Sequence, residues 1–435
     1  MRTGRGTPAG PVRVNCYGTT RSAERFFAMN ESPRVIVIGG GPIGLEAAAY
    51  GNAAGLEVVL LERQEVGANV ARWGFLQMFT PWRLNTTPLG RSLAGGDPVL
   101  ESDACPTGQE YVDRYLLPMA ESAELAGCVE AGVRVLAVGR EEDQERPGVR
   151  PFRVLTCDAY GQERVDRADV VLDCTGTYGN RRWAGRGGMP AMGEAGAKSS
   201  IWYTVPDATG ADRARFEGRR TLLIGAGTTA LCVLSQLATL AAGAPGTRVV
   251  WCVRRWGEVL GMVEEDPLPV RRALAESALR LLSAPPPWLE VVEDAMLERI
   301  AVGHGLHAWL RTSGEWTLER QVDEVVAAIG FRPDESLHDA LAPRPMYVNA
   351  AATQAALAAG ALEHPDAVAD GLPDLGGEVA LPMAGPGYYL VGHKSFGTNN
   401  NFLLRVGHRQ VREVYRRIVG EPRLDLYADD ALVMA

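Results

Sequence analysis

Lysine is almost missing from this 435-residue sequence, which contains only Lys198 and Lys394 and otherwise takes its positive charge from arginine. Seven cysteines are scattered without a C-x-x-C pair, so neither a dithiol redox motif nor a local zinc knuckle is encoded. No apolar run reaches the roughly 20 residues that span a bilayer, and the N-terminal segment lacks the apolar core of a secretory signal. We therefore expect a cytoplasmic protein with reduced thiols, no metal site and no membrane partner.

The composition is that of a globular chain, with 46% hydrophobic and 22% charged residues. Because one ordinary domain has roughly 100 to 200 residues, the length predicts two domains. The net charge of −9 argues against a nucleic-acid partner, since such proteins depend on neutralising phosphates. The sequence contains no signal for the oligomeric state, so a homodimer is kept as a hypothesis.

The first motif covers residues 34–63, RVIVIGGGPIGLEAAAYGNAAGLEVVLLER. An apolar strand, a glycine turn, an alanine-rich helix and a second strand follow one another, which is the pattern of a dinucleotide site. Gly39 permits the tight turn, Gly41 lets the backbone approach a pyrophosphate, and Gly44 lets helix and strand pack closely. Glu62 ends the second strand, where it can accept hydrogen bonds from a ribose diol. This site suits the adenosine of FAD.

A second copy covers residues 219–255, in which Gly225, Gly227 and Ala230 form G-x-G-x-x-A and Thr228 begins the helix. Its second strand ends in Arg254 and Arg255 instead of an acid. Guanidinium groups form bidentate hydrogen bonds with a 2′-phosphate, so the preferred nucleotide is NADPH. The alternative is that these arginines are a solvated strand end. Two sites of different preference predict hydride transfer from nicotinamide to flavin, chemistry that the cofactors carry.

In the order of these motifs, together with the strand-end C-T-G at Cys174–Gly176 and AIGFRPD at 328–334, the sequence resembles the two-dinucleotide-binding-domain flavoproteins. Within them it is similar to the flavin-containing monooxygenase-like branch. FTPWR at 79–83 is similar to a stretch in bacterial FAD-dependent oxidoreductases, some of them from arsenic-resistance operons. The resemblance implies two Rossmann-like three-layer α/β domains, the NADPH domain inserted into the FAD domain, with Gly176 beside the flavin.

The sequence departs from known branches at three points. It has no redox-active cysteine pair, and the late G-D dipeptide that holds the flavin ribityl chain is Gly392-His393 here. The monooxygenase fingerprint F-x-G-x-x-x-H-x-x-x-[WYF] should precede the second glycine motif, where MGEAGAKSSIWYTVPD lacks its histidine. Standard N- or S-oxygenation and Baeyer-Villiger reactions are therefore not assigned by motif.

Two further segments are candidates for the flavin pocket. Residues 71–85, ARWGFLQMFTPWRLN, follow the ribose acid and contain four aromatic residues, among them Trp73, with Arg72 alongside. These aromatics predict a flat apolar wall for a flavin ring, and an ordinary core is the alternative. The second segment contains Gly392, Asn400, Phe402 and Leu403. There we expect a helix beginning near Asn400 whose N-terminus faces the reduced flavin. For His393 and Lys394 a surface turn is the default expectation, and a position near the flavin is the alternative.

No histidine, serine or carboxylate stands out as a catalytic base, so the catalytic residues are not predicted. The leading hypothesis is a monooxygenase that transfers one oxygen of O2 to a small nucleophilic organic or metalloid substrate through a C4a-hydroperoxyflavin. One alternative is an NADPH-dependent flavoprotein reductase acting on a small disulfide or quinone. A second is a flavin-binding sensor without turnover.

Two apolar strands each end at a glycine where the chain changes direction, ADVVLDCTGTYG at 168–179 and VDEVVAAIGFRPD at 322–334, and we interpret them as the crossings between the two domains. The predicted domain boundaries follow these two crossings. Residues 1–33 form an N-terminal extension expected to lack stable structure, 34–205 and 335–435 the two parts of the FAD domain, and 206–334 the NADPH domain. Residues 345–386, rich in proline, glycine and alanine, are either a lid near the substrate or a surface connection.

Overall fold

The computed structural model of the protein describes residues 33–141, 151–254, 266, 268–312, 317–341, 381–383, 385–399 and 402–428. The predicted N-terminal extension, most of the 345–386 segment, Arg255 and Asn400 lie outside these residues.

The first unit is built on a parallel five-stranded sheet. In chain order its strands are β1 (Arg34–Ile38), β2 (Glu57–Glu62), β3 (Val129–Ala131), β7 (Val170–Asp173) and β16 (Tyr388–Leu390), and their spatial order is β16-β7-β1-β2-β3. β1 pairs in register with β2 on one side, Val35 opposite Val58, and with β7 on the other. β1 and β7 are almost entirely apolar and buried, as expected for parallel strands covered on both faces.

A helical layer and a second sheet cover the two faces of this sheet. On one side lie α1 (Pro42–Ala53) and α10 (Leu404–Val419), whose side chains share one apolar cluster with Val35 and Val37. On the other side Ile36 and Ile38 pack against the antiparallel sheet β4 (Arg134–Arg140), β5 (Phe152–Cys157) and β6 (Glu163–Ala168). Alternate residues of one strand thus supply both cores.

The second unit repeats this three-layer plan. Its parallel sheet has the order β11-β10-β9-β15-β8, formed by β8 (Ile201–Trp202), β9 (Arg220–Ile224), β10 (Arg248–Val253), β11 (Leu289–Glu293) and β15 (Glu324–Ala327). Helices α8 (Thr228–Gly243) and α9 (Pro269–Ser283) cover one face. The antiparallel sheet β12 (Ala295–Gly303), β13 (Gly305–Thr312) and β14 (Thr317–Val322) covers the other.

Shorter helical segments connect these layers. They are α2 (Ala68–Ala71), α3 (Trp82–Asn85), α4 (Pro88–Leu93), α5 (Gly108–Tyr111), a π-helical turn (Val112–Leu116), α6 (Leu117–Ala120), α7 (Arg213–Phe216) and the 3-10 turns Pro98–Glu101, Arg186–Gly188, Lys198–Ser200, Ser336–His338 and Gly392–Phe396. In the described part of the chain no helix has the length and apolar character to cross a bilayer.

Two crossings join the units, and they pair with each other. The amide N–H of Arg182 donates to the Gly330 carbonyl at 3.1 Å, and the N–H of Arg332 donates to the Asn180 carbonyl at 2.9 Å. After the first crossing, β8 pairs with β15 of the second sheet. Residue 205, the predicted boundary, therefore follows a strand of the second unit, and we propose that this unit begins near residue 184.

The C-terminal helix differs from its prediction at its start. α10 begins at Leu404 with Leu403 at its N-cap, and no side chain caps it. A helix start near Asn400 is therefore wrong. The buried Val411, Val414 and Ile418 confirm the predicted apolar spacing, and the helix ends at Gly420, whose φ of 74° is left-handed.

Candidate functional site: a cavity between two glycine turns

A cavity of about 690 Å³ extends from the glycine turn after β1 to the glycine turn after β9. Both turns stand at the carboxyl ends of parallel strands, where open α/β sheets bind ligands. Predicted site residues that line it are Gly39, Gly41, Glu62, Arg72, Trp73, Gly176, Gly225, Gly227, Thr228, Arg254, Gly392, Phe402 and Leu403. The tertiary fold thus brings together segments that are far apart in the sequence.

The three glycines of the first turn have different surroundings. A Cβ on Gly44 would stand 1.8 Å from the Gly39 carbonyl oxygen, so close helix packing requires glycine there. Gly39 has a φ of 106°, which also favours glycine. A Cβ on Gly41 would meet no atom of the described residues within 4 Å, although Gly41 lines the cavity. Glycine at position 41 therefore leaves room on the cavity side rather than serving the packing of the chain.

Glu62 is held by the backbone of this turn. Its carboxylate accepts the N–H of Gly40 at 2.6 Å and the N–H of Gln64 at 2.8 Å. These bonds fix the carboxylate at the end of β2, on the wall of the cavity. A carboxylate has further acceptor positions, so Glu62 can still accept hydrogen bonds from a ligand diol.

The second turn repeats this arrangement. Gly225 has a φ of 121°, and a Cβ there would stand 2.3 Å from the Ala328 carbonyl oxygen. A Cβ on Gly227 would meet no protein atom within 4 Å. Gly227 is the N-cap of α8, as Gly41 is of α1, and neither helix has a side-chain cap. Both N-termini therefore offer N–H groups and a partial positive charge to an anion.

The predicted aromatic wall is only partly built as expected. Trp73 and Phe79 line the cavity, whereas Trp82 is buried in the first core and Phe75 is 38% exposed outside the cavity lining. The indole N–H of Trp73 is buried and has no hydrogen-bond partner among the described residues. A bound group with an acceptor would satisfy this donor.

Behind the cavity lies a buried ion pair that the sequence did not predict. Lys394, expected in a surface turn, is fully buried, and its Nζ donates to Asp173 Oδ2 at 2.5 Å and to Thr175 Oγ1 at 3.1 Å. Tyr388 donates to the same Asp173 oxygen at 2.7 Å. Burial alone raises the pKa of Asp173, but Lys394 and these hydrogen bonds outweigh it and lower that pKa. The surface-turn expectation is therefore wrong.

His393 also leaves the expected surface turn and lines the cavity. Its ring stacks on Phe402 with 5.5 Å between centroids, and Tyr178 contacts it edge-on at 6.1 Å. Tyr178 in turn contacts Phe331 at 5.0 Å. Burial lowers the pKa of His393, so its ring is neutral at pH 7. We call Phe331, Tyr178, His393 and Phe402 the aromatic row; it runs from the second crossing to the start of α10.

Three cysteines line the cavity, namely Cys174, Cys232 and Cys252. Burial raises the pKa of Cys232 to about 11 and of Cys252 to about 12, and that of Cys174 well above its usual range. All three thiols are therefore protonated at pH 7 and are poor nucleophiles. Within the described ranges, no group of three histidine, cysteine or acidic side chains could hold a metal ion.

The site residues fit two dinucleotides. Each glycine turn leaves room for a pyrophosphate beside a helix N-terminus. The arginines that line the cavity are Arg72, Arg182, Arg254 and Arg271, whereas Glu62 is its lining carboxylate among the described residues. A cavity with this excess of cations in a chain of net charge −9 suits anionic ligands.

Comparison with known proteins agrees with this architecture. A family model described as pyridine nucleotide-disulphide oxidoreductase matches residues 9–70. No curated protein matches the chain in sequence.

Solved structures resemble nearly the whole chain. The bacillithiol disulfide reductase of Bacillus cereus is 17% identical, has a TM-score of 0.62, and aligns over 90% of this chain and 99% of its own. The ornithine N-hydroxylase of Kutzneria sp. 744, solved with reduced FAD, NADP+ and L-ornithine, is 16% identical with a TM-score of 0.60, over 90% and 100%. A variant of the flavin monooxygenase from Stenotrophomonas maltophilia is 21% identical with a TM-score of 0.55, over 90% and 99%.

This chain has the two-dinucleotide-binding-domain fold. The predicted three-layer α/β architecture is thereby confirmed. At these identities the likeness shows the fold alone, and disulfide reductases and monooxygenases share it. Within this fold both glycine turns line the same cavity.

Proposed function

We propose that this protein is an NADPH-dependent FAD monooxygenase that acts on a small organic or metalloid substrate with a nucleophilic atom. The observation that carries this proposal is one cavity that contains both glycine turns and aromatic side chains but no reactive thiol. When bound, FAD would supply the redox and oxygen chemistry, and NADPH the hydride. The protein's own part is to bind, orient and exclude water.

Three groups of residues would bind the cofactors. Gly41 and the N-terminus of α1 would hold the FAD pyrophosphate, with Glu62 on its ribose. Gly227 and the N-terminus of α8 would hold the NADPH pyrophosphate, with Arg254 on the 2′-phosphate. The ion pair of Asp173 and Lys394 ties together the Cys174–Gly176 turn and the Gly392–Phe396 turn, which both line the cavity. It would act as a positioning pair for the flavin.

The cavity favours oxygen transfer over thiol chemistry. A disulfide reductase of the dithiol type needs a thiolate that can attack, whereas burial keeps the cavity thiols protonated. The aromatic row instead supplies an apolar wall that keeps water away from the reacting atoms. Oxygen transfer from the cofactor needs no protein nucleophile, which agrees with the composition of this cavity.

A rapid-mixing experiment tests the proposal. The FAD-loaded protein is reduced with one equivalent of NADPH without air and is then mixed with air-saturated buffer while flavin absorbance and hydrogen peroxide are followed. A two-step return of the oxidised spectrum, with hydrogen peroxide released only in the slower second step because no substrate is present, supports a monooxygenase. An immediate one-step return that releases hydrogen peroxide at the same rate contradicts it. If NADPH does not reduce the flavin, the protein is better described as a sensor without turnover.

The alternative is a flavoprotein reductase acting on a small disulfide or quinone. A quinone could accept electrons in an apolar cavity without any thiol, and the fold of a bacillithiol disulfide reductase is as similar as that of the monooxygenases. Multiple-turnover NADPH oxidation without air distinguishes the two functions. Oxidation sustained by menadione or a disulfide at the rate seen in air favours the reductase.

A further inference from the structure

We propose that Arg182 binds a carboxylate of the substrate, which makes the substrate class small apolar carboxylates. This inference rests on the proposed function, because it assumes that the two nucleotides occupy the glycine turns. It adds the chemical class of the substrate, the ligand that binds besides the two nucleotides, which no motif in the sequence indicates.

Arg182 differs from the other arginines of the cavity wall in that its side chain has no partner among the described residues. Arg72 donates to the side-chain oxygens of Asn69 and Gln64, Arg271 is paired with Asp266, and Arg254 also has an interaction. The guanidinium of Arg182 makes no hydrogen bond or ion pair with the residues that the structure describes, although Arg182 is half-buried. A partly desolvated cation without a counter-charge is costly, so an anionic ligand would be favoured beside it.

The backbone of Arg182 is fixed at the crossing between the two units. Its N–H donates to Gly330 at 3.1 Å, and Asn180 Nδ2 donates to the Pro333 carbonyl at 2.9 Å. One crossing leaves the carboxyl end of β7 and the other leaves the carboxyl end of β15. Open α/β sheets bind their ligands at the carboxyl ends of the strands. Arg182 therefore lies where the reactive ends of two nucleotides, one on each sheet, would meet.

The nucleotide phosphates already have other partners. Each pyrophosphate has a glycine turn and a helix N-terminus, and Arg254 stands after β10 for a 2′-phosphate. The carboxylate of a third molecule is the remaining anion, and a guanidinium binds carboxylate through two parallel hydrogen bonds.

The surroundings indicate the rest of the ligand. Trp183 follows Arg182 on the cavity wall, and the aromatic row continues from Phe331. Tyr178, which lines the same cavity as Arg182, keeps 42% of its surface exposed. An apolar or aromatic body on these rings, with its carboxylate on Arg182, would cover the exposed apolar surface and neutralise the charge.

Benzoate and its neutral analogue benzamide test this assignment on the FAD-loaded protein. Binding is measured by isothermal calorimetry and by perturbation of the flavin spectrum. We expect wild-type protein to bind benzoate more tightly than benzamide, and Arg182→Met to weaken benzoate by about 10- to 100-fold, the range for a hydrogen bond to a charged group. Arg182→Lys should restore part of the loss. Arg186→Met, which removes a charge four residues after Arg182 at an exposed position outside the cavity lining, should leave the preference unchanged.

Two results would overturn the assignment. One is equal binding of benzoate and benzamide by the wild-type protein. The other is an Arg182→Met variant that keeps the benzoate preference but binds NADPH at least tenfold more weakly, which would make Arg182 a nucleotide-phosphate residue. If Arg182→Met does not fold, Arg182→Lys is measured instead. Lysine keeps the charge but cannot form the two parallel hydrogen bonds, so the affinity for benzoate should fall while that for benzamide stays the same.

Failure of the proposed function gives a different pattern. In that case the flavin is absent or is not reduced by NADPH, whereas calorimetry with benzoate still reports on Arg182. Equal binding of benzoate and benzamide by a wild-type protein whose flavin is reduced normally by NADPH overturns only the assignment of Arg182.

Discussion

At the scale of single residues, the first domain contains a buried carboxyl group away from the cavity. Glu46 on α1 is fully buried and accepts hydrogen bonds from Thr87 at 2.9 Å and from the hydroxyl groups of Tyr115 and Tyr427. Burial raises the pKa of Glu46 from 4.5 to about 7, although these hydrogen bonds and Arg91 oppose the rise. The folded state therefore prefers the protonated carboxyl.

This preference predicts a pH dependence of stability. A raised pKa means that the folded protein binds the proton more tightly than the unfolded chain, so the stabilisation is complete below about pH 4.5 and is lost as the pH rises to about 7. The loss is about 3 kcal/mol. Glu46→Gln should remove most of this fall in the free energy of unfolding between about pH 5 and pH 8. Urea unfolding at both pH values measures it, and parallel pH profiles of the two proteins would contradict the expectation.

The ion pair of Lys394 and Asp173 predicts a strongly non-additive pair of substitutions. Lys394→Met leaves the fully buried Asp173 without its counter-charge and should cost about 3–5 kcal/mol of unfolding free energy. Asp173→Asn added to Lys394→Met should recover part of this loss, because the remaining group is neutral. Urea unfolding of the wild-type protein, Lys394→Met, Asp173→Asn and the double variant measures the coupling free energy of the pair. If the two single losses simply add, the pair is not coupled.

A substitution of Arg254 tests the predicted preference for NADPH. Arg254→Ala removes a guanidinium at the end of β10, so NADPH, which carries the 2′-phosphate, should lose at least about tenfold in affinity while NADH changes little. Dissociation constants come from the dependence of the flavin-reduction rate on nucleotide concentration without air. Equal losses for both nucleotides would mean that Arg254 does not contact the 2′-phosphate.

At the scale of elements, the strand-turn-helix unit of β1 and α1 assigns separate tasks to two glycines. Gly44 serves the packing of the helix on the turn, whereas Gly41 leaves a space that the protein itself does not fill. Cofactor binding and stability can therefore be separated by substitution within one turn.

We expect Gly41→Ala and Gly44→Ala to fail in different ways. Gly41→Ala adds a methyl group on the cavity side, so the flavin-free protein should change by less than about 1 kcal/mol, while the flavin content of the purified protein falls several-fold. Gly44→Ala forces the turn apart and should cost at least about 1–3 kcal/mol. Flavin absorbance per protein and urea unfolding separate these outcomes. A Gly41→Ala variant with full flavin content would contradict the role of this turn.

At the scale of the whole molecule, the second unit has a core of its own. The buried residues of its two apolar clusters all lie between Ala184 and Ala328, and none comes from the first unit. The cores of the first unit, in contrast, combine residues from before and after this insertion. A unit with a self-contained core can fold alone.

This arrangement predicts that residues 184–330 fold as an isolated fragment. The fragment 206–330, cut at the boundary predicted from the sequence, lacks β8 and the buried Ala184, Ala191 and Ile201, so it should be less stable by several kcal/mol or fail to fold. Cooperative thermal unfolding by circular dichroism compares the two fragments. If both unfold at the same temperature, the segment before residue 206 contributes nothing to the second unit.

The sequence alone determined the two β-α-β units, because each is a local pattern in which strand, turn and helix are adjacent along the chain. It therefore led to the correct fold class, to the cavity-lining glycines and Glu62, and to Gly44, whose close packing against the turn is as expected. The order of elements along the chain also predicted the insertion of one unit into the other.

Only the tertiary structure decided contacts between residues far apart in the chain. Asp173 and Lys394 are 221 residues apart in the chain, and no sequence pattern indicated that they form an ion pair. The proposed start of the second unit near residue 184 depends on the pairing of β8 with β15. Likewise, Arg182 stands out from the many arginines of this sequence because the fold leaves its guanidinium in the cavity without a partner in the part of the chain that the structure describes. Local sequence specifies local backbone, whereas burial and pairing of charge are properties of the assembled sheets.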